Sequence, residues 1–462
     1  MKKSRLEVLI GQLNSKELKK LHKFVSSPYF NQQQNLVRLL EYCITNKDKV
    51  LDKKAAYKML FEDKAYKDVE LRLQMSYLYK LVEKFLAYSI IETDTFLLNE
   101  KITEGYKQHN LSKFTLRSLD KTRVYMEKQP LRNAKYFEQI HQINLAQLAY
   151  NATVKPTEQY SKVVFKEMDI AYIITKLKLT CTFLSQQTTY QASYDLSSLE
   201  TIIQQIDQQD LLKVPAVATY YYCYLTLTQP NAIQHFEQFH QLLLANSVLF
   251  SEQENRSLYL LAINFCIKQI NQGNTPFYSK TLDLYKAGLE NQALLENGIL
   301  SRFTYHNIVS AGILSKEYDW VEQFIFDYRK ALEKRYQESA FSFSKAHLEY
   351  RRKNYEGVLD LLQKSNYRDV LLNLGAKTLL LKVYYERSEF DLLYSHLEAM
   401  KNYTRRKRVI GYHKTNYLNI IQFTQKLLEL NFYNKEAIKN LAAKIKETPI
   451  LTEKAWLLEQ LE

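Results

Sequence analysis

The sequence predicts an all-α protein made of consecutive helix hairpins. Glycine and proline interrupt helices most often, and they number only 9 and 7 among the 462 residues. Each makes up about 2% of the chain, where roughly 7% and 5% are ordinary. Apolar residues recur at helical spacing along most of the chain, and short polar interruptions separate the helical stretches. We therefore expect neither an alternating strand pattern nor an Asn-Gly hairpin.

Residues 1–93 are predicted to form a basic domain of four helices, the last of them long and amphipathic. Helix starts are indicated by side chains that accept hydrogen bonds from the first free N–H groups of a helix. Asn14 is followed by Glu17 at the third helical position, which predicts a capping box. The same spacing recurs from Ser251 to Glu254. The other expected caps are Asn31 and Asp52.

A constant period marks the C-terminal part of the chain. Three turns carry an aromatic residue ahead of an amphipathic helix, in "SKEYDWVEQFIF", "RRKNYEGVLDLL" and "RSEFDLLYSHLEAM". These aromatics are spaced by 35 and 35 residues: Trp320, Tyr355 and Phe390. A single hairpin cannot bury both of its faces, so a constant period of this size indicates stacked hairpins that share a core.

The stretch "LKVYYERSEFDLLYSHLEAM" resembles the tetratricopeptide repeat, whose period is about 34 residues. The resemblance implies a right-handed solenoid of helix hairpins after an N-terminal helical unit. The sequence departs from the pattern at the turn glycine, which is replaced by Tyr318, Lys353 and Ser388. After residues 1–93, the expected divisions are irregular hairpins, tetratricopeptide-like repeats and capping helices: 94–299, 300–430 and 431–462.

The whole chain is also similar to a group of uncharacterised helical-repeat proteins of Bacteroidota. Four stretches carry this resemblance: "LNSKELKKLHKFVSSPYFN", "LRLQMSYLYKLVEKFL", "ENRSLYLLAINFCIKQINQG" and "TEKAWLLEQLE". The resemblance implies no particular activity. In the last stretch, Trp456, Leu457 and Leu461 are expected to cover the final hairpin, because the end of a solenoid needs a cap. Docking of this segment on a partner is the alternative.

Charge is distributed unevenly along the chain. The formal net charge is +14, and residues 1–93 hold half of the excess, with 18 Lys or Arg against 11 Asp or Glu. A second basic cluster, "KNYTRRKRVIGYHK", has no acidic residue. Such clusters attract nucleic acid, acidic peptides or anionic surfaces, or they form solvated faces. Four cysteines without CxxC spacing and the lack of a cleavable leader pattern favour a cytoplasmic protein with buried thiols.

Nucleotide-binding, hydrolase, metalloprotease and kinase motifs are absent, so we expect no enzyme activity and no cofactor. One pattern points to a metal instead. Two ExxH pairs have the spacing that di-iron carboxylate bundles use, each with an upstream glutamate: Glu138 and His141 with Glu104, and Glu237 and His240 with Glu200. Because glutamate is common, ordinary surface or seam residues are the favoured interpretation, and a di-iron carboxylate oxidase is the second alternative function.

The region "LDKKAAYKMLFEDKAYKDVELRLQMSYLYKLVEKFL" resembles the winged-helix part of transcription activators that also carry helical repeats. Reading DNA needs a helix with a basic, polar exposed face and phosphate contacts nearby. Here the expected exposed face mixes acidic and basic residues, and the segment that follows is predicted to continue as helix rather than to form a two-stranded wing. Nucleic-acid binding by the N-terminal domain is therefore the first alternative function.

The resemblance to tetratricopeptide repeats implies that the first helices of the hairpins line a concave partner-binding side. The stripe expected there is rich in aromatic and cationic residues, which anchor many interfaces. Its members are Tyr305, Phe343, His347, Tyr350, Arg351, Lys382 and Tyr385, and the basic cluster adds Arg405, Arg406 and Arg408. Packing between neighbouring hairpins is the alternative role. The carboxylate clamp of chaperone-binding repeats is not expected, since Ile308, Gly312 and Ser344 stand at its positions.

We therefore predict a non-enzymatic scaffold or adaptor that binds a protein or peptide partner through a helical-repeat surface. An acidic partner would match the basic clusters. No apolar stretch approaches the length of a membrane span, so none is expected. The sequence leaves the identity of the partner, the pathway and the oligomeric state open.

Overall fold

The computed structural model describes residues 3–62, 64–151, 158–190, 199–363, 367, 369–406 and 413–462. In these residues the protein is all-helical, with 23 α-helices, three short 3-10 turns and one two-stranded hairpin. The all-α prediction is confirmed. The chain forms two compact units, the first from residues 1–130 with 136–168 and the second from 131–135 with 169–462. The finer four-part division expected from the sequence stays a prediction.

The helices follow one another with short connections. The first ten are α1 (Arg5–Gln12), α2 (Ser15–Val25), α3 (Gln34–Thr45), α4 (Lys53–Phe61), α5 (Asp68–Thr93), α6 (Thr95–Gln108), α7 (Ser112–Glu127), α8 (Ala134–Asn151), α9 (Glu158–Tyr190) and α10 (Leu199–Gln208). The next seven are α11 (Pro215–Thr228), α12 (Ile233–Asn246), α13 (Glu252–Asn271), α14 (Phe277–Glu290), α15 (Arg302–Leu314), α16 (Tyr318–Asp327) and α17 (Gln337–Arg351). The last six are α18 (Tyr355–Gln363), α19 (Val370–Glu386), α20 (Phe390–Arg406), α21 (His413–Leu428), α22 (Lys435–Glu447) and α23 (Lys454–Glu459). The 3-10 turns are Leu211–Lys213, Ser247–Leu249 and Arg329–Ala331, and the strands are β1 (Leu295–Glu296) and β2 (Ile299–Leu300).

The N-terminal bundle α1–α5 contains one helix more than the sequence predicted. The additional helix, α1, has a capping box of its own, in which the side chains of Ser4 and Glu7 each accept from the other's backbone N–H. The five helices enclose one core, whose central leucines are fully buried: Leu21, Leu39, Leu40, Leu71 and Leu78. Burying one such side chain contributes about 1.5–3 kcal/mol, so the shared core stabilises these short helices more than their helix propensity does.

Most of the N-terminal helix caps predicted from the sequence are present in the structure. Three predicted caps accept hydrogen bonds from N–H groups of the first turn: Asn14, Asp52 and Ser251. The prediction for Asn31 is wrong, because α3 starts only at Gln34. The amide of Asn31 instead donates to the carbonyl of Val25 at 2.9 Å, where it stabilises the turn after α2.

A hairpin that the sequence was not expected to form connects α14 to α15. Strands β1 and β2 pair antiparallel, with Leu295 opposite Leu300, around a two-residue turn at Asn297 and Gly298. The φ angles of these turn residues, 53° and 77°, lie in the left-handed region that such a turn requires. Asn-Gly is the dipeptide that adopts this turn most readily, so the expectation of no Asn-Gly hairpin is wrong.

Three helices of the second unit end in the same kind of turn. In each, the residue after the C-cap is left-handed, with φ of 61°, 58° and 58° at Lys316, Lys353 and Ser388. After α19, the N–H of Ser388 donates to the carbonyl of Tyr385 at 3.0 Å. The N–H of Glu389 donates to the carbonyl of Tyr384 at 2.9 Å. This pattern is a Schellman motif, which satisfies the last free carbonyls of the helix and reverses the chain.

The turn positions correct the repeat register predicted from the sequence. In the first turn, the left-handed residue is Lys316 and not Tyr318. Trp320 therefore lies two residues further into its helix than the aromatics that begin α18 and α20. The connection from α16 to α17 includes an extra 3-10 turn, so 37 residues rather than 35 separate Lys316 from Lys353.

Two buried apolar clusters meet on α19. The first joins α17, α18 and α19, and its α19 members include Ala376 and Val383. The second joins α19 to α20–α23, and its α19 members are Leu374 and Leu381. Residues seven positions apart share one face of a helix, so the two clusters use opposite faces of α19. The expected covering residues, Trp456 and Leu457, lie in the second cluster.

Ser388→Gly is expected to raise the free energy of unfolding by about 0.5 kcal/mol, because glycine adopts a φ near 58° without the steric cost of a Cβ. Urea unfolding followed by circular dichroism measures the change. The matched control is Ser257→Gly, at an exposed position inside α13, where the same replacement should lower the free energy by a similar amount. Effects of equal sign at both positions would contradict the assigned turn.

Candidate partner-binding site

The candidate site lies where α17, α19 and α23 come together. Helix α17 contributes Tyr350 in its last turn, α19 contributes Lys382 and Glu386, and α23 contributes Trp456. Lys382 and Glu386 are four residues apart, so they lie on the same face of α19. The structure thus brings two residues of the predicted stripe together with two residues that were not assigned to it.

The ammonium group of Lys382 is buried at the centre of the site. Only 3% of the residue is exposed, and its Nζ lies 2.7 Å from a carboxylate oxygen of Glu453. The Nζ also lies 4.5 Å from the centroid of the Tyr350 ring and 5.8 Å from that of the Trp456 ring. A buried cation is tolerated only when paired, and the carboxylate and the two ring faces together satisfy this one.

The carboxylate of Glu386 accepts hydrogen bonds from three helices. The hydroxyl of Tyr350 donates to it, the hydroxyl of Tyr355 donates at 2.6 Å, and Nε1–H of Trp456 donates at 2.7 Å. Burial, followed by the hydrogen bond to Glu386 and its charge, raises the pKa of Tyr355 to about 12. Burial, followed by the same hydrogen bond and charge, also raises the pKa of Tyr350. Both tyrosines therefore stay protonated and act as donors, which is the arrangement that stabilises a carboxylate.

The residues that sequence reasoning missed are the distant partners of the stripe. Glu453 lies 71 residues from Lys382 in the chain, and Glu386 lies 70 residues from Trp456. No local spacing connects positions so far apart. The available signal is the tryptophan in the short C-terminal stretch, from which the sequence predicts only a cap for the last hairpin.

A cleft of about 550 Å³ opens beside this buried network. Its lining is aromatic and charged: Tyr350, Arg351, Lys353, Tyr355, Tyr385, Glu386, Glu459 and Gln460. The side chains of Arg351 and Lys353 are exposed, and neither side chain forms an ion pair or a hydrogen bond within the described part of the chain. Burial by itself would raise the pKa of Glu453, and the charge of Arg351, after that of Lys382, helps to hold that pKa low. Tyr385 is half-buried, and its ring lies 5.5 Å from the ring of Trp456. The cleft therefore presents two open cations beside aromatic surface.

Phe343 and His347 extend the stripe along α17, where both are half-buried. A Cβ on Gly375 would lie 3.1 Å from the Phe343 ring, so the glycine allows α19 to approach this ring closely. The imidazole of His347 stacks on the same ring. Burial lowers the pKa of His347 to about 4, which keeps the imidazole neutral at pH 7.

Tyr305 does not belong to the surface on which the sequence placed it. Its exposed fraction is 0%, and its hydroxyl donates to the carbonyl of Ile325 at 2.8 Å inside the hairpin α15–α16. This placement corrects the expectation that Tyr305 contacts a partner. Its ring instead packs against that of Phe324, with 5.0 Å between the centroids.

The basic cluster that supplied three further candidate residues is only partly described. Arg405 and Arg406 form the end of α20, and both are exposed to solvent. Arg408 lies outside the described residues. The proposed role of these arginines in partner binding stays a prediction.

The second ExxH pair is engaged in other contacts. Glu237 forms an ion pair with Lys280, and the His240 ring packs on Phe236 with 5.7 Å between their centroids. Burial lowers the pKa of His240. Across the described residues, no group of three or more His, Cys, Asp or Glu side chains is placed to hold a metal ion.

The four cysteines are buried and form no disulfide bonds: Cys43, Cys181, Cys223 and Cys266.

Comparisons of the chain with protein-family models, with curated proteins and with solved structures found no match. The function is therefore inferred from the geometry of the cleft and of the charged groups beside it. A search of the described helices for one long and apolar enough to cross a lipid bilayer also found none.

Removing either residue of the Lys382–Glu453 ion pair should lower the free energy of unfolding, but by different amounts. Glu453→Gln is expected to lower the free energy of unfolding by about 2 kcal/mol, because it leaves a buried ammonium unpaired. Lys382→Met is expected to cost only about 0.5 kcal/mol, since the Glu453 side chain is 34% exposed and can be hydrated. Urea unfolding at pH 7 measures both values. A larger loss in Lys382→Met would contradict this account.

The cost of Glu453→Gln should shrink in acid. Burial by itself would raise the pKa of Glu453, but the charge of Lys382 and its hydrogen bond hold that pKa below the ordinary value of 4.5. The carboxylate therefore contributes stability above pH 4.5, and this contribution is lost as the pH falls through the folded-state pKa. Unfolding curves of both proteins at decreasing pH should converge. A difference that stays constant with pH would exclude Glu453 as the titrating group.

Proposed function

We propose that the second unit is a tetratricopeptide-like, right-handed solenoid that serves as a non-enzymatic scaffold for a protein or peptide partner. Contacts between α15 and α17, and between α17 and α19, support this proposal, because the first helices of stacked hairpins lie side by side. The shared Schellman turns after these helices support the same arrangement. Stacked hairpins form extended concave surfaces, which repeat proteins use to bind their partners.

The open cations of the cleft carry the functional proposal. The side chains of Arg351 and Lys353 are exposed and form no ion pair or hydrogen bond in the described chain, whereas the neighbouring Lys382 is buried and paired. A buried cation has to be paired, whereas these two remain hydrated and are therefore available to a carboxylate of a partner. Arginine and tyrosine are also residue types that contribute much of the energy at interfaces. A partner with acidic and apolar groups matches the cleft.

The proposal is tested by removing the two cations. The double variant Arg351→Glu, Lys353→Glu should weaken partner binding at least tenfold, because both charges would repel the acidic groups that they now attract. Tagged full-length chain is purified from its native cells with nuclease treatment, co-purifying proteins are identified, and affinity for the purified partner is measured by calorimetry.

The matched control for this experiment is Lys439→Glu, Lys444→Glu. Both lysines are exposed on α22, away from the lining of the cleft, so the pair makes the same change in charge. The control should retain wild-type affinity. Equal weakening by both double variants would show a general charge effect and would contradict a role for the cleft.

Nucleic-acid binding by the first unit is a second candidate function, and one observation favours it. Helix α2 exposes four lysines to solvent: Lys16, Lys19, Lys20 and Lys23. Of these, only Lys20 forms an ion pair in the described chain, with Glu92. Open lysines on one helix face suit contacts with phosphates. No two-stranded wing follows α5, since Asp94 ends that helix and caps α6 directly. The lysines would therefore contact the sugar-phosphate backbone of the nucleic acid rather than the edges of its bases.

Lys16→Glu, Lys19→Glu, Lys23→Glu is expected to abolish binding to duplex DNA or RNA if this second function holds. Fluorescence anisotropy with the full chain at increasing salt gives the measurement, since the logarithm of the binding constant falls linearly with the logarithm of salt concentration when phosphates are contacted. Duplex binding without salt dependence, or binding equal in variant and wild type, would remove this candidate.

A further inference from the structure

The C-terminal segment of the chain occupies part of the surface that we propose for a partner. Glu453 and α23 contact Lys382 and Tyr385, two residues of the predicted stripe. The contacts of this C-terminal segment indicate which chemical groups of a partner the same surface can bind. The inference that follows rests on the proposed function, because it names the chemistry of the partner.

Two side chains of this segment make polar contacts with the stripe. Glu453 pairs with Lys382 at 2.7 Å, and Nε1–H of Trp456 donates to Glu386 at 2.7 Å. The indole also packs edge-on against the ring of Tyr385, at 5.5 Å between the centroids. Glu453 immediately precedes α23 in a left-handed conformation and Trp456 lies in the first turn of that helix, and both side chains contact α19.

We propose that this surface recognises an acidic residue followed three positions later by tryptophan and then directly by leucine, and that a partner helix with this motif binds in place of α23. Each group of the motif has a receptor on α19. The carboxylate faces Lys382, the indole N–H faces Glu386, and the leucine takes the place of Leu457 in the apolar cluster that includes Leu381.

Several features make the segment exchangeable. Helix α23 has only six residues, too few for a helix that is stable without tertiary contacts. The chain before it is held at Ile450, whose carbonyl accepts from the amide of Asn419 at 2.7 Å. Glu453 follows in a left-handed conformation, with φ of 54°, which is strained for a residue with a Cβ. Release of the segment after Ile450 would relax that strain and leave the anchor intact.

A partner helix can make its first contacts in the open cleft. Glu459 and Gln460, at the end of α23, line the same cleft as Arg351 and Lys353. An acidic partner can therefore contact the two open cations before it displaces α23. The cations would then contribute mainly to the rate of association, and the buried pair with Lys382 to the lifetime of the complex.

If a partner helix replaces α23, Glu453→Gln should have opposite effects on peptide affinity when it is made in the chain and when it is made in the added peptide. The tethered segment competes with any incoming helix at high local concentration, so it lowers the apparent affinity for that helix. Glu453→Gln weakens the tethered segment and should tighten binding of an added peptide at least threefold. The same replacement in the peptide weakens only the incoming helix, and it should reduce binding at least threefold.

The experiment uses a fluorescein-labelled peptide, TEKAWLLEQLE, which copies residues 452–462, and its Glu453→Gln counterpart. Both are titrated by fluorescence anisotropy against the full chain in wild-type, Glu453→Gln and Glu447→Gln forms. Glu447 is exposed at the end of α22, so Glu447→Gln is the charge-matched control and should bind as the wild type does. Adding Lys382→Met to the Glu453→Gln chain should make the two peptides bind equally.

Several outcomes would overturn the inference. Equal affinity of both peptides for the wild-type chain would contradict the motif, and this comparison does not depend on the folding of any variant. Unchanged affinity in a Glu453→Gln chain of normal helical content would contradict exchange. A dimer of Glu453→Gln chains on gel filtration would assign the surface to a second copy instead. A partner that depends on Arg351 and Lys353 but stays bound in excess peptide would leave the proposed function standing and overturn this inference alone.

Discussion

The C-terminal part of the second unit depends on one constraint, which is the burial of the Lys382 ammonium group. A cation removed from water costs several kcal/mol unless a counter-charge and polar or aromatic groups replace its hydration. Here the replacement comes from the Glu453 carboxylate and from the rings of Tyr350 and Trp456. Because these groups belong to α17 and to the C-terminal segment, the charge on α19 can be satisfied only when all three parts are assembled.

Glu386 imposes the complementary requirement one turn further along α19. Its three donors come from α17, α18 and α23, so an anion and a cation on one helix face together determine the positions of four helices. The apolar clusters on the two sides of α19 supply most of the stabilisation, since burial of apolar surface is the larger contribution. Apolar contacts are not directional, however, and the directional contacts of Lys382 and Glu386 select one arrangement among those that would bury similar surface.

The functional proposals follow from the contrast between satisfied and open charges. Lys382 is buried and paired, and Glu386 accepts three hydrogen bonds, whereas the side chains of Arg351 and Lys353 are exposed at the end of α17 and form no ion pair or hydrogen bond in the described chain. The Schellman turn that reverses the chain after α17 also places Lys353 at the edge of the cleft. This turn therefore both shapes the hairpin and exposes the Lys353 ammonium group. The C-terminal segment shows that the neighbouring surface binds a carboxylate and an indole.

The sequence by itself determined what depends on short-range contacts. The capping residues Asn14, Asp52 and Ser251 were predictable because a cap involves only the first turn of its own helix, and the Asn297–Gly298 turn could have been predicted in the same way. The tertiary structure alone decided the partners of the stripe. Tyr305 lies in the core, and Lys382 is paired with a residue 71 positions away, because burial and pairing depend on which helices pack together rather than on spacing along the chain.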